Sequence, residues 1–286
     1  MLLRDAIKRF KQYLVMTDKS SETIRSYSTD LANFEKFLEH KYNCPLYLNE
    51  IQVTDIEDYL YYLKKKNLQT ASRSRNLHTL RSFWNYSCKN KLCNFNLAMT
   101  VEPIKIQKKE RTYLSTEEAF QLIDAIEHPL IKLVIKTLYY TGLRINECLN
   151  LNINDVDLEN KIIHVIGGKG NKNRDIPINQ NLIPLFENYL ANERPHVNSQ
   201  YFFATKKTGS LSANYVNQSL RETVRKLGWK KHVSAHILRH SFASNLIKNG
   251  VNLVYVQKLL GHSNLKVTSI YTHANIEELN KSVNVL

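Results

Sequence analysis

The stretch KIIHVIGGKGNKNRDIPIN, residues 161–179, is where the pattern of this chain changes. KIIHVIG and RDIPIN are short runs of strand character, and the turn-rich GKGNKN between them signals a hairpin. Elsewhere the apolar residues recur mostly at helical spacing. The expected fold class is therefore α+β, mainly α with a small antiparallel β-sheet.

Upstream of the hairpin, the spacing predicts helices at about 116–127 and 129–141, the first opened by a capping box of Ser115 and Glu118. Before them lies TVEPIKIQKKERTYL, residues 100–114, with a proline, little periodicity and the basic run Lys108, Lys109 and Arg111. It marks a linker over 93–112. The first hundred residues read as four helices. Leu2–Met16 is followed by a helix N-capped by Ser21 with Ile24, Tyr27, Leu31, Phe34 and Leu38 on one face. A third runs from Thr54 (an N-cap boxed with Glu57) through Leu63, and a fourth covers roughly Thr70–Lys89. The last carries Leu77, Leu80, Phe83 and Trp84 on one side, with Arg73, Arg75 and Arg81 on other faces as candidate phosphate contacts. After Asn179 helices return. The expected domains are 1–92, a linker at 93–112, and 113–286.

Two domains suit a length of 286 residues. No run approaches the ~20 apolar residues of a membrane span, and MLLRDAIKRFKQYL is a charged amphipathic helix rather than a signal peptide. A soluble, cytoplasmic, nucleoid-associated protein without a membrane partner is expected. Cys44, Cys88, Cys93 and Cys148 show no metal-ligand rhythm, so they read as reduced, incidental thiols. Lys and Arg total 40 against 26 Asp and Glu, for a net charge of +14. Half of that excess lies in residues 1–110, with 19 basic and 12 acidic residues. A polyanion is the implied partner, since counterion release turns dispersed Lys and Arg into a binding surface. Composition alone leaves generic solubility charge as the alternative.

Four segments carry candidate chemistry: TGLRINE (141–147), GGKGNKNR (167–174), HILRH (236–240) and LGHSNLKVTSIYTH (260–273). Arg144 and Glu147 are spaced for a charge-assisted hydrogen bond, which alone reads more readily as a structural ion pair. Lys169, between Gly168 and Gly170, is a mobile cation at a hairpin tip, which alone reads more readily as a solvated turn residue. Lys172 and Arg174 follow as candidate DNA contacts. His236 and Arg239 share a helix face. His240 completes a zinc-like spacing with His236, but Ile237 stands where a metalloprotease motif needs Glu, so no metal site is expected. His262 follows Gly261, a C-cap, and Ser263 caps the helix carrying Tyr271. Tyr271 is one of 16 tyrosines and is distinguished by position alone.

Together the segments resemble the tyrosine recombinase (phage-type integrase) family, most closely its short Xer-like bacterial members, and the likeness spans essentially the whole chain. The family's order Arg, Lys, His-x-x-Arg, His, Tyr stands here as Arg144, Lys169, His236, Arg239, His262 and Tyr271. The resemblance implies a helical core-binding domain, a mixed catalytic domain and a C-shaped clamp round duplex DNA. It implies that Arg144, Arg239 and His262 bracket the scissile phosphate and that Tyr271 attacks it, forming a 3′-phosphotyrosyl link. Lys169 protonates the departing 5′ oxygen, His236 is the candidate base, and Glu147 and His240 support the site. No cofactor is implied, since the covalent link conserves the bond energy and Arg and Lys supply positive charge.

The implied partners are duplex DNA with an inverted-repeat core site and other copies of the chain, a dimer on one site and a tetramer in synapsis. Segment 275–286 would link them through a stripe of Ile276, Leu279, Val283 and Leu286, which reads otherwise as a helix packed on its own domain. A transcription factor has no reason to keep all six residues. A type IB topoisomerase need not assemble as a tetramer, and a metal-dependent nuclease requires carboxylate clusters that these segments lack. The helical domain begins almost at residue 1, which favours a simple recombinase on short core sites, resolving dimers or transposon cointegrates. Integration or excision of a mobile element is the alternative role.

Overall fold

The computed structural model describes residues 1–106, 112–168 and 172–261, the side chains of Gly168 and Lys172 excepted. The chain divides into two compact units, Met1–Lys109 and Glu110–Leu286.

The first unit is helical. Its elements are α1 (Leu3–Met16), α2 (Ser21–Tyr42), α3 (Val53–Lys65), α4 (Thr70–Lys89) and the single turn α5 (Leu97–Thr100). The expected apolar stripes meet in one core. Leu31, Phe34 and Leu38 of α2 are buried against Leu77, Leu80, Phe83 and Trp84 of α4, with Phe10 and Tyr59 between them. Phe34 and Phe83 both meet the Trp84 ring edge to face, with centroids 5.9 and 5.1 Å away; such pairs add about 1 kcal/mol beyond burial.

Two helix starts differ from the expectation. Ser20 rather than Ser21 caps α2, its Oγ accepting from the Thr23 amide at 3.2 Å. The third helix begins before Thr54: the Asp55 carboxylate accepts from the Gln52 amide at 2.9 Å, so Thr54 and Glu57 lie inside the helix. Asp55 also receives Lys41 Nζ and Tyr42 Oη, both at 2.7 Å, tying the end of α2 to the start of α3. Residues 97–101, within the span read as linker, pack on the first unit through buried Ala98 and Val101.

The second unit begins with α6 (Thr116–Asp124), where the Ser115–Glu118 capping box forms as expected. Next come α7 (Pro129–Thr141) and α8 (Ile145–Leu149). The sheet comprises β1 (Val156–Asp157), β2 (Ile162–Gly168) and β3 (Lys172–Pro177), antiparallel in the order β1-β2-β3. The sequence reading contained the hairpin but not the two-residue β1. Between Val165 and Gly168 the β2–β3 register shifts by one residue. Gly167 sits there with φ +65°, and its amide is held by Asn173 Oδ1 at 3.0 Å. Such a bulge sharpens the twist and re-aims the end of a hairpin.

Helices α9 (Ile183–Asn188), α10 (Ala213–Lys226), α11 (Ala235–Lys248) and α12 (Leu253–Leu260) complete the described part. Apolar α7 lies at its centre, with Ile131, Val134, Ile135 and Leu138 fully buried, and Ile163, Val165 and Ile176 of the sheet join the same core. The unit is mainly helical with one small antiparallel sheet, the architecture expected. Among the described residues no helix is long and apolar enough to cross a membrane.

Candidate active site

Helix α7 ends at Gly142, whose φ of +63° is the left-handed geometry of a helix C-cap. The chain then turns into α8, and Arg144 becomes the residue capping that helix. Glu147, one turn on, accepts the Arg144 amide at 2.9 Å and its Nη1 at 2.5 Å. The bond expected from the spacing is present, and it fixes the guanidinium relative to its own backbone. Arg144 stays about a third exposed, whereas Glu147 is buried.

From the other side comes α11. It packs against α7, where Asn245 Nδ2 donates to the Tyr139 hydroxyl at 3.2 Å, and it carries both His236 and Arg239. Arg239 is 3% exposed, and its Nη1 and Nη2 donate to the carbonyls of Gly142 and Leu260, each at 2.6 Å. Those carbonyls belong to the turns ending α7 and α12, so one side chain joins the segment leading to Arg144 with the one leading to residue 262. The buried His240 ring meets His236 edge to face at 4.4 Å. His240 thus packs behind His236, within the unit.

Arg144, Glu147, His236 and Arg239 line one cleft of about 430 Å³. Its floor and walls include Asn150, Asp155 and the β2 residues Val165, Ile166 and Gly167. The hairpin that carries Lys169 in the sequence therefore starts at the cleft wall. Lys169, His262, Ser263, Tyr271 and segment 275–286 lie outside the described residues, as does the side chain of Lys172.

The charge in the cleft is strongly organised. Burial works to raise the Glu147 pKa, but the Arg174 guanidinium, the Arg144 amide and the Arg144 guanidinium together push it down to about 2. Glu147 is therefore an anion under ordinary conditions, and it orients the cations round it.

Two of the arginines expected to contact DNA are hydrogen-bonded within their own units. Arg174 points inward: Nη2 and Nη1 meet Glu147 at 2.8 and 3.2 Å, and Nε donates to the Leu259 carbonyl at 3.0 Å. Arg81 is similarly committed, with Nε and Nη2 donating to the carbonyls of Ala98 and Val101 at 3.0 and 2.7 Å. Both satisfy backbone acceptors that would otherwise be costly to bury. Arg75 is anchored by buried Asp30 at 2.8 Å yet remains half exposed. Arg73 donates from Nη2 to Thr70 Oγ1 at 3.3 Å, and its Nε is buried without a hydrogen-bond acceptor. The inward roles of Arg81 and Arg174 involve partners 17 to 85 residues away, for which local sequence holds no signal.

The same two-part organisation is found in known proteins. Residues 112–278 match the phage integrase family, and residues 7–91 match the family's N-terminal SAM-like domain. The chain belongs to the phage integrase family and is a tyrosine-type site-specific recombinase, an enzyme that cuts and rejoins DNA. It is 32% identical to the tyrosine recombinase XerC of Staphylococcus saprophyticus, over 97% of this chain and 95% of that one. It is 34% identical to a tyrosine recombinase of Thermosipho africanus, over 95% and 96%. Among solved structures it resembles the XerH site-specific recombinase bound to a palindromic difH substrate in a post-cleavage complex. That match has 26% identity and a TM-score of 0.74, over 92% of this chain and 79% of the other.

Proposed function

We propose that this enzyme recombines two short duplex core sites through a covalent phosphotyrosyl intermediate, with Tyr271 as nucleophile. The observation that carries the reading is the convergence of Arg144, His236 and Arg239 on one cleft, from elements separated by about 90 residues of chain. A phosphodiester resists nucleophiles because its own charge repels them. Two guanidinium groups fixed beforehand at one wall meet that difficulty directly, since they need no reorganisation as charge develops on the phosphate oxygens. Arg144 is held by Glu147, and Arg239 by two carbonyls. His262 joins them as the third phosphate ligand.

In the cleavage step the Tyr271 oxygen bonds to phosphorus and the phenolic proton passes to His236. The bond to the 5′ oxygen breaks, and Lys169 protonates that oxygen as it leaves. A 3′-phosphotyrosyl link and a free 5′-hydroxyl result. Attack by a 5′-hydroxyl from the partner strand reverses the chemistry and restores tyrosine. The phosphodiester energy stays in the covalent link, so no nucleotide cofactor is required. The DNA-bound, post-cleavage state of the XerH relative supports the substrate class.

Two copies on an inverted-repeat site, and four in the synapse, follow from a reaction between two sites. Segment 275–286 is the proposed link between copies. Resolution of DNA dimers or cointegrates is the role we assign. The charge of +14 supports a grip on many phosphates.

The test uses a nicked suicide duplex carrying a site selected by this protein from a random-sequence pool. The wild type accumulates a covalent protein–DNA adduct in EDTA, and Tyr271→Phe binds the same duplex without forming one. An adduct of normal yield with Tyr271→Phe refutes the nucleophile.

A further inference from the structure

Glu147 stands at the meeting point of three arginines from three elements. Arg144 heads α8 and meets Oε1; Arg174 of β3 spans both carboxylate oxygens; Arg239 of α11 lies 3.9 Å from Oε2. Arg144 and Arg239 face the cleft, but Arg174 is absent from its lining. Arg174 lies behind Glu147, its side chain 11% exposed.

Its third nitrogen has a separate task. Nε donates to the Leu259 carbonyl in the last turn of α12. Gly261 closes that helix with φ +65°, and a Cβ there would come within 2.9 Å of Arg174 Cδ and 3.1 Å of Nε. The turn preceding His262 therefore lies directly on the Arg174 side chain. One planar fork grips the carboxylate that aims Arg144, while Nε grips the helix end that leads to His262. Lysine, a single point charge, cannot hold both in one geometry.

We propose that Arg174 is a positioning residue of the recombinase, locking Glu147 behind Arg144 and fixing the end of α12 ahead of His262. The inference rests on the reading of Arg144 and His262 as phosphate ligands. Among the described residues, Arg144, Asp155, His236 and Arg239 share the cleft with Glu147, and Arg174 lies behind it. Arg144 lies on its own helix, Arg174 on β3 and Arg239 on α11. The adjoining Cys148 thiol is buried, and burial raises its pKa. Asp155, across the cleft, receives the Asn152 amide at 2.8 Å. Burial presses Glu147 toward its neutral form, and Arg174 is the foremost influence opposing it. Without that guanidinium the carboxyl takes up a proton at higher pH and releases its hold on Arg144.

Two variants of the full chain test this. Arg174→Met fills the same space without charge, and Arg174→Lys restores charge without the fork. Single-turnover adduct formation on the suicide duplex is followed from about pH 5.5 to about pH 8.5, the range in which acid and base limbs of catalysis emerge. Arg174→Met is expected to bind the duplex normally but to cleave about 10²-fold more slowly, the scale of loss when reacting groups shift by an ångström. Its acid limb moves toward neutrality. Arg174→Lys keeps the wild-type acid limb and recovers only part of the rate.

Carbon-13 NMR of the Glu147 carboxyl, recorded without DNA, reads the same arrangement independently of cleavage. The carboxyl stays ionised through mild acid in the wild type and titrates at higher pH in Arg174→Met. Wild-type cleavage with an unshifted profile in Arg174→Met overturns the proposal. Should that variant not fold, a wild-type rate in Arg174→Lys overturns it equally. If the wild type forms no adduct, the phosphate-ligand reading fails, and the NMR titration still decides whether Arg174 holds Glu147.

Discussion

Gly142→Ala probes the turn from which Arg144 is launched. Gly142 has φ +63°, and a Cβ there would stand 2.4 Å from Phe242 Cδ1, 2.7 Å from Cε1 and 3.0 Å from Leu260 Cδ2. Two costs add. An L-residue in the left-handed region costs about 1–2 kcal/mol, offset by about 0.4–1 kcal/mol from the stiffer unfolded chain. The clash is the larger part, because the partly buried Phe242 ring must move against its packed neighbours, and overpacking of this kind costs about 1–3 kcal/mol. The expected loss is therefore roughly 1–5 kcal/mol. Gly228 is the matched control, with φ +68° and nothing within 4 Å of an added Cβ. Gly228→Ala bears the backbone cost alone, about 1 kcal/mol or less after the unfolded-state offset. Urea unfolding of the two variants measures the steric part as the difference between them. Equal losses would refute the reasoning, since Phe242 would then have no part in the effect. Cleavage by Gly142→Ala should fall by more than its stability explains, because the Gly142 carbonyl also carries Arg239.

Three further outcomes follow from the site. Lys169→Ala should cleave ordinary DNA slowly and recover on a substrate with sulfur at the bridging 5′ position, which departs without a proton; equal impairment on both substrates would reassign Lys169 to phosphate binding. Glu147, titrating near 2 against an ordinary 4.5, contributes stability that is full above about pH 5 and lost as the pH falls toward 2. Over that window the wild type should lose about 3 kcal/mol that Glu147→Gln does not, as read by urea unfolding at stepped pH, and parallel curves would contradict the assignment. Truncation after Ala274 should leave half-site binding intact while reducing cooperative filling of the second half-site and strand exchange, and unchanged cooperativity in gel shifts would place the tail on its own domain.

Much of the architecture was legible because its signals are local. Leu31, Phe34 and Leu38 share one helical face with or without a partner, and the Ser115–Glu118 box spans a single turn. The two strands about residues 168–173 were readable for the same reason. Errors fell where neighbouring residues compete for one task. Ser20 and Ser21 are both good caps, and Asp55 displaced Glu57 because the third helix begins earlier. Strand β1 was invisible: two residues are too few for alternation, and they pair with β2 only when the sheet forms.

The site divides along similar lines. Sequence alone determined the order of Arg144, Lys169, His236, Arg239, His262 and Tyr271, and with it the family. It also determined the Arg144–Glu147 bond, since a capping residue and the residue three positions on meet across the first turn of a helix wherever the helix lies. The tertiary structure alone decided which arginines line the cleft and which are bonded inside their own unit. Arg174 and Arg81 look as available to phosphate as any other basic residue in the chain. Both turn inward because carboxylate and carbonyl groups distant in sequence are buried beside them, and a buried acceptor without a donor costs more than the exposure of one guanidinium gains.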